Sequence, residues 1–478
     1  MHCLIKYRYS CLNLYLNQQF KMIKLFSILN LHNPLQFGNL GMLSIGQFFG
    51  WASPSLPVLI QGNYTEYPVH LTMEEASWVA ALLTLGGAVG SVACAFMVNI
   101  IGRKNTMLFT AVPSIISWLM IIFATSSWEL YISRLISGLA AGIAYSATPM
   151  YLGEISPPNI RGILASMLTV AAKIGTSIEY IIGPFLSVKN LALVSLVWPC
   201  LFVVAFIWLP ESPYHLIRRD AGQKAINSLV QLRGKEDVYK EMNSIKQFVK
   251  ADKANEISFR EILFVPGNRR AIIILFCLAA FQQMSGSQAI VQYAEIIFDE
   301  ANANMEGKHL TMILGAIQVI FTIISMIIID RIGRKPLLII SSIGSACSTA
   351  MVAAYFNLQH NHVDTSELGW LAATGVVMYI VMYSLGMASL FFTLGSELLA
   401  TNVKALGSTI AIFTVNLWAF AVTKLYMVIV ESSGIHMPFW IFTASSFACA
   451  LFTFFYVPET KGKTLEQIQQ KLHKPPNK

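Results

Sequence analysis

Four glutamines stand inside long apolar runs: Gln282, Gln283 and Gln288 in one run, with Tyr293 just beyond them, and Gln318 in the next. A carboxamide offers two donors and two acceptors without a charge. This set is suited to hydrogen-bond a neutral solute rich in hydroxyls rather than to break a bond. The other use of an amide in such a place is to hold neighbouring helices together. An earlier run carries Thr169, Lys173, Thr176 and Tyr180 at i, i+4, i+7 and i+11, which places them on one helical face. An ammonium near the centre of a bilayer costs roughly 2.5–3.5 kcal/mol, so Lys173 needs a wet cavity or a partner. Glu179 follows six residues later and points to another face, so direct pairing is not expected. Lys173 is open to a structural role as well as to one in solute choice.

A second group of residues lies at the ends of the apolar runs. Ile-Gly-Arg-Lys occurs at 101–104 and again at 332–335. Leu152-Gly153-Glu154 is answered by Leu394-Gly395-Ser396-Glu397, each Glu being followed seven residues later by a base, Arg161 or Lys404. Pro210-Glu211-Ser212 is answered by Pro458-Glu459-Thr460. Three pairs in the same order mark an internal duplication, the usual build of a secondary transporter.

The elements that must position these groups are membrane spans. Of the 478 residues, 55% are hydrophobic and 12% charged, about half the charged fraction of a soluble chain. Runs of the length a spanning helix needs fall near 39–60, 76–98, 106–126, 128–152, 163–186 and 190–209, then near 271–298, 310–329, 336–358, 368–396, 406–430 and 436–457. The expected fold is an all-α membrane protein of about twelve helices in two six-helix pseudo-repeats, 39–210 and 271–457. A basic segment at 211–270 joins them, with amphipathic helical spacing at 221–232 and 238–249. Residues 1–38 and 458–478 read as tails, and Met22 is an alternative start.

Charge sets the expected orientation. The gap after the first span holds Glu66, Glu74 and Glu75 without a base, whereas Arg103, Lys104, Arg331, Arg334, Lys335, the middle segment and the C-terminal tail are basic. Positive charge stays inside, so both termini and the linker are expected in the cytoplasm of a multi-pass plasma-membrane protein. Asn63-Tyr64-Thr65 then forms a glycosylation sequon in an external loop. The net charge of +8 belongs to these gaps and does not point to nucleic acid. The seven cysteines have no metal or disulfide spacing. No P-loop, nucleophile motif or metal constellation is present in the sequence. The expected partners are a small solute and the bilayer, with no enzyme activity, cofactor, metal or obligate protein partner.

The strings Arg134-x-x-x-Gly138, Pro149-x-Tyr151-x-x-Glu154, Arg161-Gly162, Pro210-Glu211-Ser212-Pro213, Gln282-Gln283-x-Ser285-Gly286, Asp330-Arg331-x-Gly333-Arg334-Lys335 and 458–465 resemble those of the sugar porter family of the major facilitator superfamily. The resemblance covers roughly 46–468, and is greatest to the insect facilitated trehalose/glucose transporters. It implies facilitated transport of a sugar by alternating access. The alternatives are a porter of a non-sugar, anionic solute, a proton-coupled symporter, and a sugar sensor. Family positions for substrate contact fall on Gln282, Gln283, Gln288, Gln318, Thr169, Phe392 and Asn416. Arg103, Glu154, Arg161, Glu211, Asp330, Arg334, Glu397, Lys404 and Glu459 fall on a cytoplasmic gate that bridges helices in the outward-facing state and separates in the inward-facing one.

The chain departs from the family in several places. Ala52 follows Gly50-Trp51 where proton-coupled members carry a carboxylate, which favours facilitated diffusion. Span 10 lacks the family's prolines and tryptophan before Glu397, reading Ala388-Ser389-Leu390-Phe391-Phe392, and is expected to be stiffer. Asn99 replaces the Asp that the second copy keeps as Asp330, so the first gate is expected to be weaker by about 1 kcal/mol. Asn99→Asp should therefore favour the outward-facing state; cysteine-accessibility labelling from each side checks this, and an unchanged pattern refutes it.

Overall fold

The computed structural model describes residues 32–61, 67–157, 161–234, 238–254, 265–301, 305–365, 367–399, 403–463, 467–468, 470 and 472. Side chains are described throughout these except at 32–37, 161–163, 165, 251–254, 330, 404 and 405. Span 1 is α1 (His32–Gly50) and α2 (Ala52–Gln61), interrupted at Trp51. Pro54 and Pro57 lack the amide hydrogens that Gly50 and Ser53 would accept four residues earlier, which loosens the ladder at the break. Span 2 is α3 (Met73–Ile100), span 3 is α4 (Arg103–Phe109) with α5 (Ala111–Phe123), and span 4 is α6 (Ser127–Ile155). Span 5 is α7 (Arg161–Ile182) and span 6 is α8 (Val188–Phe206).

Three linker helices follow: α9 (Pro213–Arg218), α10 (Gly222–Arg233) and α11 (Tyr239–Ala254). The amphipathic spacing at 221–232 and 238–249 thus marks real helices, whose apolar faces close a small core of Ala225, Leu229, Met242, Ile245 and Val249. In the second half, span 7 is divided into α12 (Pro266–Met284), α13 (Ser287–Gln292) and α14 (Ala294–Glu300). Span 8 is α15 (Gly307–Ile332) and span 9 is α16 (Arg334–His360). Span 10 is α17 (Gly369–Leu385) with α18 (Met387–Leu398), span 11 is α19 (Lys404–Ser433) and span 12 is α20 (His436–Tyr456).

Ten of these spans are long and apolar enough to cross a membrane by length and composition. The remaining two are span 1, divided at Trp51, and span 5, whose Lys173 and Glu179 lower its mean hydropathy. Phe96, Val204, Trp208 and Phe455 are exposed on these helices, as lipid-facing side chains of a spanning bundle would be. Thr72 and Glu75 start span 2 with a reciprocal capping box, Glu75 N donating to Thr72 Oγ1 at 3.2 Å and Thr72 N to Glu75 Oε2 at 2.9 Å.

The expectation of a stiff span 10 is not met, because the helix breaks at Gly386 without proline. Side chains from other spans take up the backbone there. Ser325 Oγ donates to Leu385 O at 2.8 Å, Gln282 Nε2 to Met387 O at 2.9 Å, and Met387 N to Ser341 Oγ at 3.0 Å. Polar side chains supply the carbonyl and amide partners that a kink exposes.

Spans 2 and 4 approach backbone to backbone. A Cβ on Gly138 would lie 2.0 Å from Leu83 O, so the small residue of the Arg134-x-x-x-Gly138 string is a packing requirement. Gly138→Val should lower the unfolding temperature of the purified protein in detergent by several degrees or abolish folding. Gly153→Ala, where an added Cβ meets nothing within 4 Å, should leave it unchanged or slightly raised.

Candidate functional site

Because the linker follows span 6 and precedes span 7, alternation gives every span a linker-side end and a far end. Among the described residues, hydrogen bonds join the halves toward the far ends: Arg134 Nη2 to Gln292 Oε1 at 3.2 Å, Ser177 Oγ to Gly315 O at 2.7 Å, Tyr180 Oη to Val291 O at 2.5 Å, Glu295 N to Ser53 Oγ at 3.1 Å and Lys424 Nζ to Ser77 Oγ at 2.6 Å. Lys424 also lies 4.3 Å from the centre of the Trp78 ring, whose neighbour across the halves is Phe420. The far face is therefore zipped shut.

The amides lie about one helical turn to the linker side of this zip. Gln288 precedes Val291 by three residues, and Gln318 follows Gly315 by three in the antiparallel span 8. Gln282 Oε1, Gln288 Oε1 and Gln318 Nε2 are buried atoms with no hydrogen-bond partner in the protein. Gln283 is more fully used, accepting from Ser287 Oγ at 3.1 Å. Buried amide atoms are normally satisfied; these three lie in two neighbouring spans, while further unpartnered buried polar atoms occur elsewhere in the protein. Tyr293 stacks on Tyr426 at 5.1 Å and donates to Thr423 O at 3.4 Å, which locks it into the span 7–span 11 contact.

Span 5 divides its expected set. Thr169 and Lys173 are half-buried. Thr176 Oγ1 donates to Gly46 O at 3.0 Å and to Ala172 O at 3.2 Å, and so binds span 1 to span 5. Glu179 is fully buried, accepts from Ser195 Oγ at 2.5 Å, and packs its Cβ near Gly50, toward spans 1 and 6. Its direction explains why it does not pair with Lys173. Phe392 is 45% exposed and makes an edge contact with Phe391. Asn416 donates to Ile412 O at 2.9 Å, and its Oδ1 lies 2.5 Å from where a Cβ on Gly87 would stand, so it sits in the span 2–span 11 seam.

Three residues of this region were not singled out as candidates. Gln47 is fully buried with neither amide atom partnered, Gln292 receives Arg134, and Lys424 ties span 11 to span 2. Their being polar inside apolar runs was the available signal.

The gate residues form two matching clusters. In the first half, Arg103 Nε meets Glu154 Oε2 at 3.1 Å, while Glu211 accepts from the backbone N–H of Arg103 and Lys104 at 3.0 Å each. In the second half, Arg334 Nη2 meets Glu397 Oε1 at 3.0 Å, and Glu459 accepts from Arg334 N at 3.2 Å and Lys335 N at 3.1 Å. Gly102 and Gly333 carry the required positive φ, 95° and 104°. Each of these bonds braces helices within one half. Asn99 Nδ2 donates to Ala95 O on its own helix, while Asn99 O and Ile100 O accept from Arg219 Nη2. The side chains of Arg161, Asp330 and Lys404 and all of Asn63 lie outside the described residues.

Two braces carry shifted ionisation outside the spans. Burial pushes the Glu459 carboxyl up, but the N–H groups of Lys461, Lys335, Arg334 and Thr460 together hold it below the usual range. His215 Nδ1 lies 2.7 Å from Arg103 Nη1, and burial followed by the Arg103 charge lowers its pKa, keeping the ring neutral as an acceptor.

These features define a duplicated, multi-pass membrane protein whose halves close over a polar site. Residues 49–472 match the family described as "Sugar (and other) transporter", and the chain belongs to that family. It is 34% identical over 439 residues to a facilitated trehalose transporter of Drosophila mojavensis, covering 91% of this chain and 50% of that protein. Against the facilitated trehalose transporter of Polypedilum vanderplanki the identity is 33%, with 91% and 86% covered. The chain thus spans about half the length of several of the relatives it matches. Its fold matches that of the proton:xylose symporter XylE bound to 6-bromo-6-deoxy-D-glucose, with TM-score 0.75, 23% identity, and 92% and 99% covered. An inward open conformation of XylE from E. coli matches with TM-score 0.75 at 22% identity, with the same coverage.

Lowering the pH through the ordinary His value of about 6.5 should weaken the first brace. A depressed histidine contributes stability that is present above its unfolded pKa and is lost as the pH falls through the folded one. The thermal stability of the detergent-solubilised protein should fall between pH 7.5 and 5.5, and His215→Asn, which keeps an acceptor, should flatten that part of the profile.

Proposed function

We propose that this chain is a facilitative transporter of a small saccharide in the plasma membrane, with both termini and the linker in the cytoplasm. The solute moves by alternating access between the two halves, without covalent chemistry or a cofactor. The observation that carries this reading is the set of unused amide atoms, Gln282 Oε1, Gln288 Oε1 and Gln318 Nε2, one turn below the far-side zip. Hydroxyls donate to and accept from amides equally well, and an uncharged set releases a neutral solute as readily as it takes one. The relatives named facilitated trehalose transporters support saccharide as the solute class.

The two internal braces make each half a rigid unit, which is what rocking about a central site requires. With the far face zipped, access in this reading is from the linker side, which with a cytoplasmic linker corresponds to an inward-facing state. Span 1 supplies no carboxylate to Arg134, whose guanidinium is instead met by Phe48 O at 2.8 Å, Val79 O at 3.1 Å and Gln292. That favours uniport over coupling to protons.

Purified protein in liposomes should take up labelled glucose or trehalose at a rate indifferent to an imposed pH gradient. Gln282→Ala and Gln288→Ala should each weaken saccharide binding about two- to tenfold, the worth of one neutral hydrogen bond. Uptake that requires an inward proton gradient would refute uniport, and no saccharide uptake at all would refute the whole reading.

A further inference from the structure

The polar atoms without a protein partner at the level of the amides are of two kinds. Span 7 contributes the Oε1 acceptors of Gln282 and Gln288 there, its unpartnered donor Gln292 Nε2 lying one turn farther toward the zip. Spans 5 and 8 contribute donors at that level. Ser177 of span 5 touches Gly315 of span 8 at 2.7 Å, and this fixes the register of the two antiparallel helices. Lys173 lies four residues from Ser177 and Gln318 three from Gly315, both toward the linker. At about 1.5 Å per residue, the two therefore stand close to one level, about 4.5–6 Å below the contact. Gln318 Nε2 is buried there without a partner. Lys173 is half-buried, and among the described residues no carboxylate forms an ion pair with it.

The other two ionisable groups inside spans 4 and 5 are directed elsewhere, although Glu179 Oε2 has no hydrogen-bond partner in the protein. Arg134 is taken up by two carbonyls and Gln292, and Glu179 turns away to Ser195. An ammonium kept inside a spanning bundle without a protein counter-ion is costly, and the cost falls when a ligand brings the opposite charge. One ammonium and one amide N–H match a single carboxylate, with its one negative charge and two acceptor oxygens. A phosphate dianion would leave a charge unmet.

Resting on the transporter reading above, we infer that this site takes a sugar acid: a small saccharide whose hydroxyls meet the Gln282 and Gln288 carbonyl oxygens and whose carboxylate meets Lys173 and Gln318. Lys173 is then the residue that selects acidic over neutral sugars. The solute carries one negative charge through the protein, so its transport is electrogenic.

The test uses the full chain in liposomes, with labelled glucuronate and glucose offered in parallel under a potassium–valinomycin potential. The expected result is glucuronate uptake that is accelerated by an inside-positive potential, while glucose uptake is not. The glucuronate-to-glucose uptake ratio should fall at least tenfold in Lys173→Met and be largely kept in Lys173→Arg, which separates a charge effect from a packing one. Glucose entry with glucuronate excluded, or a ratio unchanged in Lys173→Met, overturns the inference and leaves the transporter reading standing. Labelled trehalose is offered as a third arm: entry of trehalose alone overturns the inference and leaves the transporter reading standing, and entry of none of the three overturns both.

Discussion

Arg134 is fully buried, and its guanidinium is satisfied by the carbonyls of Phe48 and Val79, the amide of Gln292 and the face of Trp51 at 5.2 Å. A charge in such a place must be fully hydrogen-bonded, because each missing partner leaves a desolvated donor. The requirement reaches into four spans at once. It holds span 4 against spans 1 and 2, keeps the Trp51 ring stacked over the cation where span 1 breaks, and anchors the far half of span 7. The Gln292 contact is the one that crosses between the halves. Opening the far face must exchange that amide for water or another acceptor, while the partners in the first half can stay.

Apart from the Arg134 and Lys424 contacts, the hydrogen bonds described between the halves are neutral. The seam between the halves uses hydroxyls, backbone carbonyls and one lysine on an indole face. Within each half, by contrast, carboxylates grip backbone N–H groups and guanidinia. Strong interactions inside a unit and weak ones between units are what a rocking mechanism needs, since only the second kind must be broken in each cycle.

The fold was largely legible in the sequence, because spanning helices and paired motifs leave a signal in residue type alone. The linker helices showed in their amphipathic period. The break in span 1 had an unused signal in Pro54 and Pro57, while the break in span 10 had none as clear, since Gly386 is stabilised by Ser325, Ser341 and Gln282 from other helices. The site was legible only in part. Helical phase places Thr176 beside Lys173, but one residue meets span 1 and the other does not. Phase orders residues around a helix without saying which neighbour stands opposite. Gln47, Gln292 and Lys424 escaped for a related reason: a single polar residue barely moves the mean hydropathy of its run, and the partners of Gln292 and Lys424 are more than a hundred residues away in the chain. In the first Ile-Gly-Arg-Lys copy the Arg103 side chain also meets Val98 O and His215 besides Glu154, contacts that residue types alone do not announce.

The position of Glu211 and Glu459 along the chain has a consequence for biosynthesis. Each receives the first N–H groups of a helix that begins more than a hundred residues earlier, at Arg103 and at Arg334. During translation that helix end must wait, with its amides uncommitted, until the last span of its half has entered the membrane. The final carboxylate then acts as a clasp that registers a finished module. Two such clasps, one per module, let the ribosome deliver this protein in two separately secured instalments.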